Sequence, residues 1–172
     1  FSIYCEQDAT AAPDSLHDFA VAYDRDAVAL RRDLGVEEDW PWRYETLSSG
    51  QQKRLQVACA LWQRPDVLVM DEPTNHVDVP TREAVTAALA RFKGVGLLIS
   101  HDRALLDALC SQCLFMAAGQ VTVRPGGYSQ GRGQGELERK TALRQREQAK
   151  REKKRLAGEA QRRREEASRA AG

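Results

Sequence analysis

Two short apolar runs, each ending on residues able to do chemistry, constrain this chain more than any other feature. The first is Val67 to Met70, followed by Asp71 and Glu72, and the second is "VGLLIS", followed by His101 and Asp102. Val67 to Met70 lies between Pro65 and Pro73, which leaves too little room for a helix. An unbroken apolar run of this kind suits a strand buried on both faces of a parallel sheet. The stretch from Met70 to Val95 has room for one helical crossover. Pro80 stands where a helix can begin, Val85, Leu89 and Phe92 share one face, and Gly94 ends it. The expected unit is therefore βαβ with parallel strands, and the fold class α/β.

Ligands of parallel sheets bind off the carboxyl ends of the strands. Asp71, Glu72 and His101 should all fall there. Asp71, at a strand end, suits a magnesium ion held directly or through water. Glu72, one residue on, can turn toward a water as a general base. His101 can touch a terminal phosphate or hold the attacking water. Taken alone, acids after an apolar run are equally an edge strand entering a polar turn.

The segment is not alone. "LSSGQQKRLQVACALWQRPD" reads as a capped helix, with either Ser48 and Gln51 or Ser49 and Gln52 at capping-box spacing. Leu55, Cys59 and Trp62 share a face, and Pro65 closes the segment. Unpaired N–H groups and the positive end of the helix dipole favour a phosphate at such a start, and Gly50 allows close approach. A helix cap of this kind is common on its own. Here it precedes the two acids and the histidine along the chain, and the order gives it weight.

The remaining elements follow from spacing. "FSIYCEQD" looks like a strand tail that enters a loop near Gln7. Leu16, Phe19, Tyr23, Ala27 and Leu30 predict one amphipathic helix from Asp14 or Ser15 to Gly35. "EEDWPWRYET" reads as a loop, because Pro41 disfavours helix at Trp40. "ALLDALC" is a short helix, and "CLFMAAGQVTV" a hairpin around Ala118 and Gly119. "RPGGYSQGRGQG" reads as a glycine-rich hinge, and Glu136 to Ala171 as a long polar helix. Leu137, Leu143 and Leu156 are too few for a coiled-coil seam.

Charge divides the chain. Residues 131–172 hold 14 basic and 7 acidic side chains, and residues 1–130 hold 12 and 18. The two parts face different surroundings. No run reaches the length of a membrane span, so membrane insertion is not expected, and no signal-peptide pattern is visible. The chain opens on Phe1, as an excised piece would. Cys110 and Cys113 have CxxC spacing, but no second pair completes a zinc site, and reduced cytosolic thiols are expected.

With four motifs in order, the sequence resembles the ATP-binding-cassette (ABC) ATPases. "LSSGQ" is similar to their signature motif, "VLVMDE" to the Walker B strand with its catalytic glutamate, "PTNHVD" to the D-loop, and "ISHD" to the switch histidine. Gln7 lies where a Q-loop glutamine would. The resemblance covers roughly residues 1–130 and implies a P-loop NTPase-like parallel sheet with a helical subdomain. "EPTNHVD", "ISHDRALLDALC" and "GGYSQ" before a long charged helix resemble the ABC-F type, in which two cassettes share a chain and many members act on the ribosome. The resemblance then implies that residues 131–172 are a basic helical linker arm. ATPases of the SMC type also carry helices, but theirs precede the signature half. Ser49 departs from the commoner glycine, and Val77 from the usual leucine.

The resemblance implies ATP and Mg2+ as ligands and a second cassette as partner. Ser48, Ser49, Gly50 and Gln51 would bind the γ-phosphate of nucleotide held by that second cassette. Asp71 and Gln7 would arrange magnesium, Glu72 polarise water, His101 steady the transition state, and Asp78 couple the two sites. A phosphate loop of the form GxxxxGK[ST] is missing, since no Gly-Lys pair occurs in the chain. The implied loop would precede Gln7, so the chain alone is expected to be inactive as an ATPase. Residues 139–169 could contact ribosomal RNA, or could simply be a solvated face; no aromatic interleaves the basic residues. Three function classes remain: a cytoplasmic ABC-F ATPase acting in translation or antibiotic resistance, the ATPase subunit of a membrane transporter, and a non-catalytic nucleotide- or RNA-binding module.

Overall fold

A computed structural model describes residues 1–117 and 119–170, with the side chains of Gln161 and of residues 163–170 outside that description. The chain divides into two compact units, Phe1–Tyr128 and Ser129–Gly172.

The first unit is built on three parallel strands, β1 (Ser2–Cys5), β2 (Val67–Asp71) and β3 (Val95–Ile99), in the order β1-β2-β3. Tyr4 pairs with Val69, Val69 with Leu97, and Asp71 with Ile99. The helix α4 (Val79–Leu89) makes the crossover from β2 to β3. Asp78 caps it by accepting from the Thr81 N–H at 3.0 Å, and a proline occupies the first turn, where a missing N–H is harmless.

The sheet is packed on one face only. Cys5, Leu68 and Met70 join the core, with Ile3 and Leu98 against it. Their alternates on β3 do not: Val95 is 66% and Leu97 45% exposed. The expectation of strands buried on both faces is corrected here, because Tyr4, Val95, Leu97 and Ile99 are exposed and the described chain packs only the opposite face. An unbroken apolar run shows a strand that could be covered twice; it does not supply the cover.

Between β1 and β2 lies a helical part: α1 (Leu16–Val21), α2 (Arg25–Leu34), a 3-10 segment at Trp40–Thr46, and α3 (Ser49–Trp62). The single helix expected from Asp14 or Ser15 to Gly35 is two. Asp24 breaks it by capping α2, accepting from the N–H of Asp26 at 3.0 Å and of Ala27 at 3.1 Å. The Trp62 indole also donates to Asp24, at 2.9 Å, and Arg31 holds the freed carbonyl of Ala22 at 2.7 Å. Gly35 ends α2 in the left-handed conformation, with φ 59°. The loop expected around Pro41 is the 3-10 segment, since the proline sits in its first turn. Phe19, Leu34, Trp40, Leu55, Leu68 and Val85 are fully buried and tie these helices to the sheet.

After β3 come α5 (Arg103–Leu109) and an antiparallel hairpin of β4 (Gln112–Ala117) and β5 (Gln120–Pro125). Cys5, Cys59, Cys110 and Cys113 are free thiols. The glycine-rich hinge is corrected as well. Helix α6 (Tyr128–Ala170) begins inside it, and the bend is confined to Gly126, with φ 83°, and Gly127. Glycine lowers helix propensity by about 1 kcal/mol without forbidding the helix. Ala171, where the sequence ends the helix, lies outside the described residues. No helix among the described residues is long and apolar enough to cross a membrane.

Candidate functional site

The carboxyl ends of β2 and β3 bring the acids and the histidine together. Glu72 has a left-handed backbone, φ 45°, and its N–H donates to the Ile99 carbonyl at 2.8 Å. That conformation is uncommon outside glycine, asparagine and aspartate. It turns the Glu72 side chain over the end of β3. There the carboxylate accepts from the Ser100 hydroxyl at 3.2 Å and from the His101 backbone N–H at 3.1 Å. The imidazole Nε2 of His101 stands 3.6 Å from Glu72 Oε1. The His101 ring is fully exposed, whereas the Glu72 side chain is only 13% exposed. A largely desolvated carboxylate is thus held by two donors beside a ring free to meet a ligand.

Asp102 continues the network. It accepts from the Thr74 hydroxyl at 3.1 Å, pairs with Arg82 at 3.4 Å, and caps α5 through the Leu105 N–H. His76, with φ 55°, and Asn75 border a shallow cleft of about 450 Å³ shared with Glu72 and His101.

Asn75 and His76 also border a second cleft, of about 480 Å³, which contains Gln7, Ser49 and Asp71. Asp71 accepts from the Tyr4 hydroxyl at 3.3 Å. Among the described residues no group of three or more acidic, histidine or cysteine side chains converges on one point. Glu6 and Asp8 also line this cleft, and the pair the sequence singles out is one carboxylate and one amide, Asp71 and Gln7. That fits magnesium, which keeps most of its water and binds through one or two protein oxygens plus phosphate. It does not fit an ion caged wholly by protein.

The start of α3 is a capping box between Ser48 and Gln51, the first of the two registers the sequence allows. The Ser48 hydroxyl accepts from the Gln51 N–H at 3.3 Å, and the Ser48 N–H donates to Gln51 Oε1 at 2.9 Å. Ser48 keeps its own O–H for a ligand, while the Gln51 amide oxygen is engaged. Ser49 is exposed and Gly50 half-buried. Their N–H groups belong to the first turn, which has no intrahelical acceptors. A side chain at Gly50 would meet the Thr81 hydroxyl at 3.4 Å, so this position is close to the α4 start. Asp78 is exposed, and hydrogen bonds from the Thr81 side chain and N–H hold its carboxyl below the usual range. The structure thus joins Glu72 to His101, and gathers Gln7, Asp71 and Ser49 around one cleft. Ser48, Gly50, Gln51 and Asp78 border neither cleft.

Sequence reasoning missed a buried polar layer behind this cleft. Lys53 is 4% exposed, and its ammonium donates to the Glu6 carbonyl at 3.1 Å, the Gln7 carbonyl at 3.0 Å and Gln56 Oε1 at 2.9 Å. Burial draws its pKa below the ordinary lysine value, against an opposing pull from Cys5, Asp8 and Asp71. The Gln52 amide donates to the Tyr44 carbonyl at 3.2 Å, and the Tyr44 hydroxyl donates to the Ala9 carbonyl. The available signal was the spacing of Gln52, Lys53 and Gln56, which puts them on one side of a helix that turns apolar from Leu55 onward.

Comparison with known proteins bears on the family and the fold. Residues 3–75 match the family described as ABC transporter. The chain is 32% identical over 131 residues to the ATP-binding protein Uup of Caulobacter vibrioides, covering 74% of this chain and 21% of that protein. It is 40% identical over 102 residues to the ABC transporter F family member 2 of Arabidopsis thaliana, covering 59% and 15%. To the probable ATP-binding protein YheS of Escherichia coli it is 51% identical over 59 residues, covering 34% and 9%. The chain thus spans about a fifth or less of the length of these relatives. A solved dimer of the ATP-binding cassette MJ0796, bound to ADP and Pi, superposes with TM-score 0.54 at 21% identity, covering 72% of this chain and 62% of that one. At that identity the likeness shows a shared fold.

Proposed function

We propose that this chain, an ATP-binding-cassette sequence of the ABC-F type, supplies the signature and hydrolytic edge of an ATPase that closes around nucleotide with a second cassette. The observation that carries the proposal is the contact of Glu72 with His101 at adjacent strand ends, beside the cleft of Asp71, Gln7 and Ser49.

The roles follow from the chemistry of each group. Glu72 accepts a proton from, or orients, the attacking water. Its two donors, Ser100 and the His101 N–H, fix the carboxylate so that little reorganisation is needed. The exposed His101 ring donates to the oxygen on which charge develops. Asp71 and Gln7 hold magnesium, which when bound neutralises charge on the phosphate oxygens. Ser48, Ser49 and Gly50 offer a hydroxyl pair and leading helix N–H groups to a γ-phosphate presented by the other cassette. Gln51 holds the cap in shape, and Asp78 fixes α4 at the neighbouring rim, where it couples the two sites.

The chain by itself does not hydrolyse ATP in this reading, because it contains no Gly-Lys pair to build a phosphate loop. We assign α6 to ribosomal RNA contact through its excess of basic side chains, which makes the site of action cytoplasmic. Contact of that kind is to phosphate and strongly dependent on salt. Removing charge at Lys153, Lys154 and Arg155 should weaken ribosome binding and flatten its salt dependence; binding that stays unchanged would remove the ribosomal part of the reading and leave the ATPase part standing.

The decisive experiment is Glu72→Gln in the intact two-cassette ATPase. Hydrolysis should fall about 10²- to 10⁴-fold, the usual worth of a general base, while ATP binding is retained. Loss of nucleotide binding, or undiminished turnover, would refute the assignment of Glu72.

A further inference from the structure

We infer that Lys53 is a positioning residue that fixes Gln7 through its backbone and so ties the phosphate-facing start of α3 to the magnesium-facing loop after β1. The inference deepens the proposed function, since it takes Gln7 as a magnesium ligand.

Three facts support it. Lys53 is almost wholly buried, yet no carboxylate lies within ion-pair distance of it among the described residues. Its three N–H bonds meet three acceptors: the carbonyls of Glu6 and Gln7, and Gln56 Oε1. Gln56 in turn donates to the same Glu6 carbonyl, at 3.4 Å. An ammonium buried against neutral acceptors is costly to desolvate, and an apolar side chain of similar length would fill the volume without that cost. The arrangement therefore makes sense as a device for specificity. Two successive loop carbonyls must converge on one nitrogen, which permits few loop conformations.

The donor count also excludes the simpler alternative. Lys53 borders the cleft of Asp71 and Gln7, where a cation could be taken for a phosphate ligand. With all three protons engaged and 4% exposure, it has none to give to a nucleotide. The loop has a second anchor in the Tyr44 hydroxyl on the Ala9 carbonyl. Residues 6–9 are thus held at Glu6 and Gln7 by α3 and at Ala9 by the 3-10 segment before it. Serine 48 to Gln51 lie directly upstream of Lys53 on α3, so any shift of the helix start is transmitted to Gln7 through one side chain. Arginine cannot replace it, because a planar fork does not converge on three acceptors around a single nitrogen.

The test has two readouts. In the 172-residue chain, Lys53→Met should move the carbonyl carbon resonances of Glu6 and Gln7 and speed amide exchange over residues 7–10, while Leu55 to Cys59 stay protected. In the intact ATPase, Lys53→Met should raise the magnesium concentration for half activation about tenfold, with a smaller change in the KM for ATP, as expected for a ligand misplaced by a fraction of an ångström. Gln7→Ala should do the same, and the double variant should be no worse than Gln7→Ala alone. Lys53→Gln, which keeps a donor, should be intermediate, and it serves if Lys53→Met does not fold. Unmoved Glu6 and Gln7 carbonyl resonances, or multiplicative effects in the double variant, would overturn the inference. If Gln7→Ala leaves the magnesium requirement unchanged, the magnesium role proposed for Gln7 fails, and the carbonyl resonances still decide whether Lys53 holds the loop.

Discussion

Helices α3 and α6 both begin with a polar stretch and are stabilised in opposite ways. In α3, 14 residues long, Gln52, Lys53 and all of Leu55 to Ala60 are buried, polar and apolar side chains alike. In α6, 43 residues long, every described side chain from Glu136 onward is exposed. Helix α3 is therefore held by tertiary contacts: a core on one side and carbonyl acceptors on the other. Helix α6 depends on intrinsic propensity and on pairs along its own surface, such as Arg132 with Glu136 and Arg155 with Glu159. The chemistry is placed accordingly. The helix to which we assign the phosphate site is wired into the fold from several directions, and the described side chains of the charged helix from Glu136 onward face solvent.

Deleting the same side chain from each helix should separate the two most strongly. Leu55 is fully buried, so Leu55→Ala should cost about 2–5 kcal/mol in urea unfolding. Leu143 is 60% exposed, and Leu143→Ala should stay within about 0.5 kcal/mol. Equal losses would mean that α6 is packed against something on its leucine side. A second contrast is in pH. Burial pushes the Cys59 thiol up to about 12 and the Cys5 thiol up to about 11, from an ordinary 9.0. Between those values the unfolded chain releases protons that the folded chain keeps, so stability should be full below pH 9 and fall as pH rises toward 11 and 12. The slope should flatten in the Cys59→Ala variant. A melting temperature independent of pH over this range would show that these thiols are not desolvated as the packing around α3 requires.

The same contrast explains what the sequence revealed. The βαβ unit was legible because its signals are local: two apolar runs, prolines at both ends of the first, and a helix-length crossover. The meeting of Glu72 with His101 was legible because strand ends in a parallel sheet are neighbours by topology. The break at Asp24 was not, since a cap in mid-helix shows only when Trp62 and Arg31 arrive from elsewhere to satisfy the freed groups. The glycines of "RPGGYSQGRGQG" suggest a hinge, but from Tyr128 onward the segment is the first turns of a long helix that tolerates them. The uncovered side of β3 was hidden for another reason: a run such as "VGLLI" describes what a strand tolerates, and burial is decided by what lies opposite. Lys53 was passed over because a lysine beside arginine and glutamine looks like a solvated face. Its acceptors, Glu6 and Gln7, are more than forty positions away in the chain.

Ser48→Ala would test the α3 side at smaller scale. It removes the acceptor for the Gln51 N–H and half of the capping box, and should cost about 1 kcal/mol. Because α3 is anchored further along by Lys53 and Leu55, the loss should appear as faster amide exchange in the first turn, with Leu55 to Ala60 still protected. Exchange that rises along the whole helix would mean the cap, and not the buried layer, holds α3.

The smallest expected effect belongs to α6. Arg155 and Glu159 stand 3.8 Å apart at i,i+4 spacing, both more than half exposed. Such a pair contributes about 0.2–0.5 kcal/mol to a helix at low salt, and is less favourable with the base N-terminal to the acid, as here. Glu159→Gln keeps the helix propensity and removes only the charge. Helicity by circular dichroism should fall slightly at low salt, and the difference should vanish near 1 M salt, where the screening length is about 3 Å. A loss above about 1 kcal/mol, or one that persists in high salt, exceeds what a solvated pair can give. Glu159 would then have to be engaged by a partner surface, and α6 would no longer be the helix stabilised by its own sequence alone.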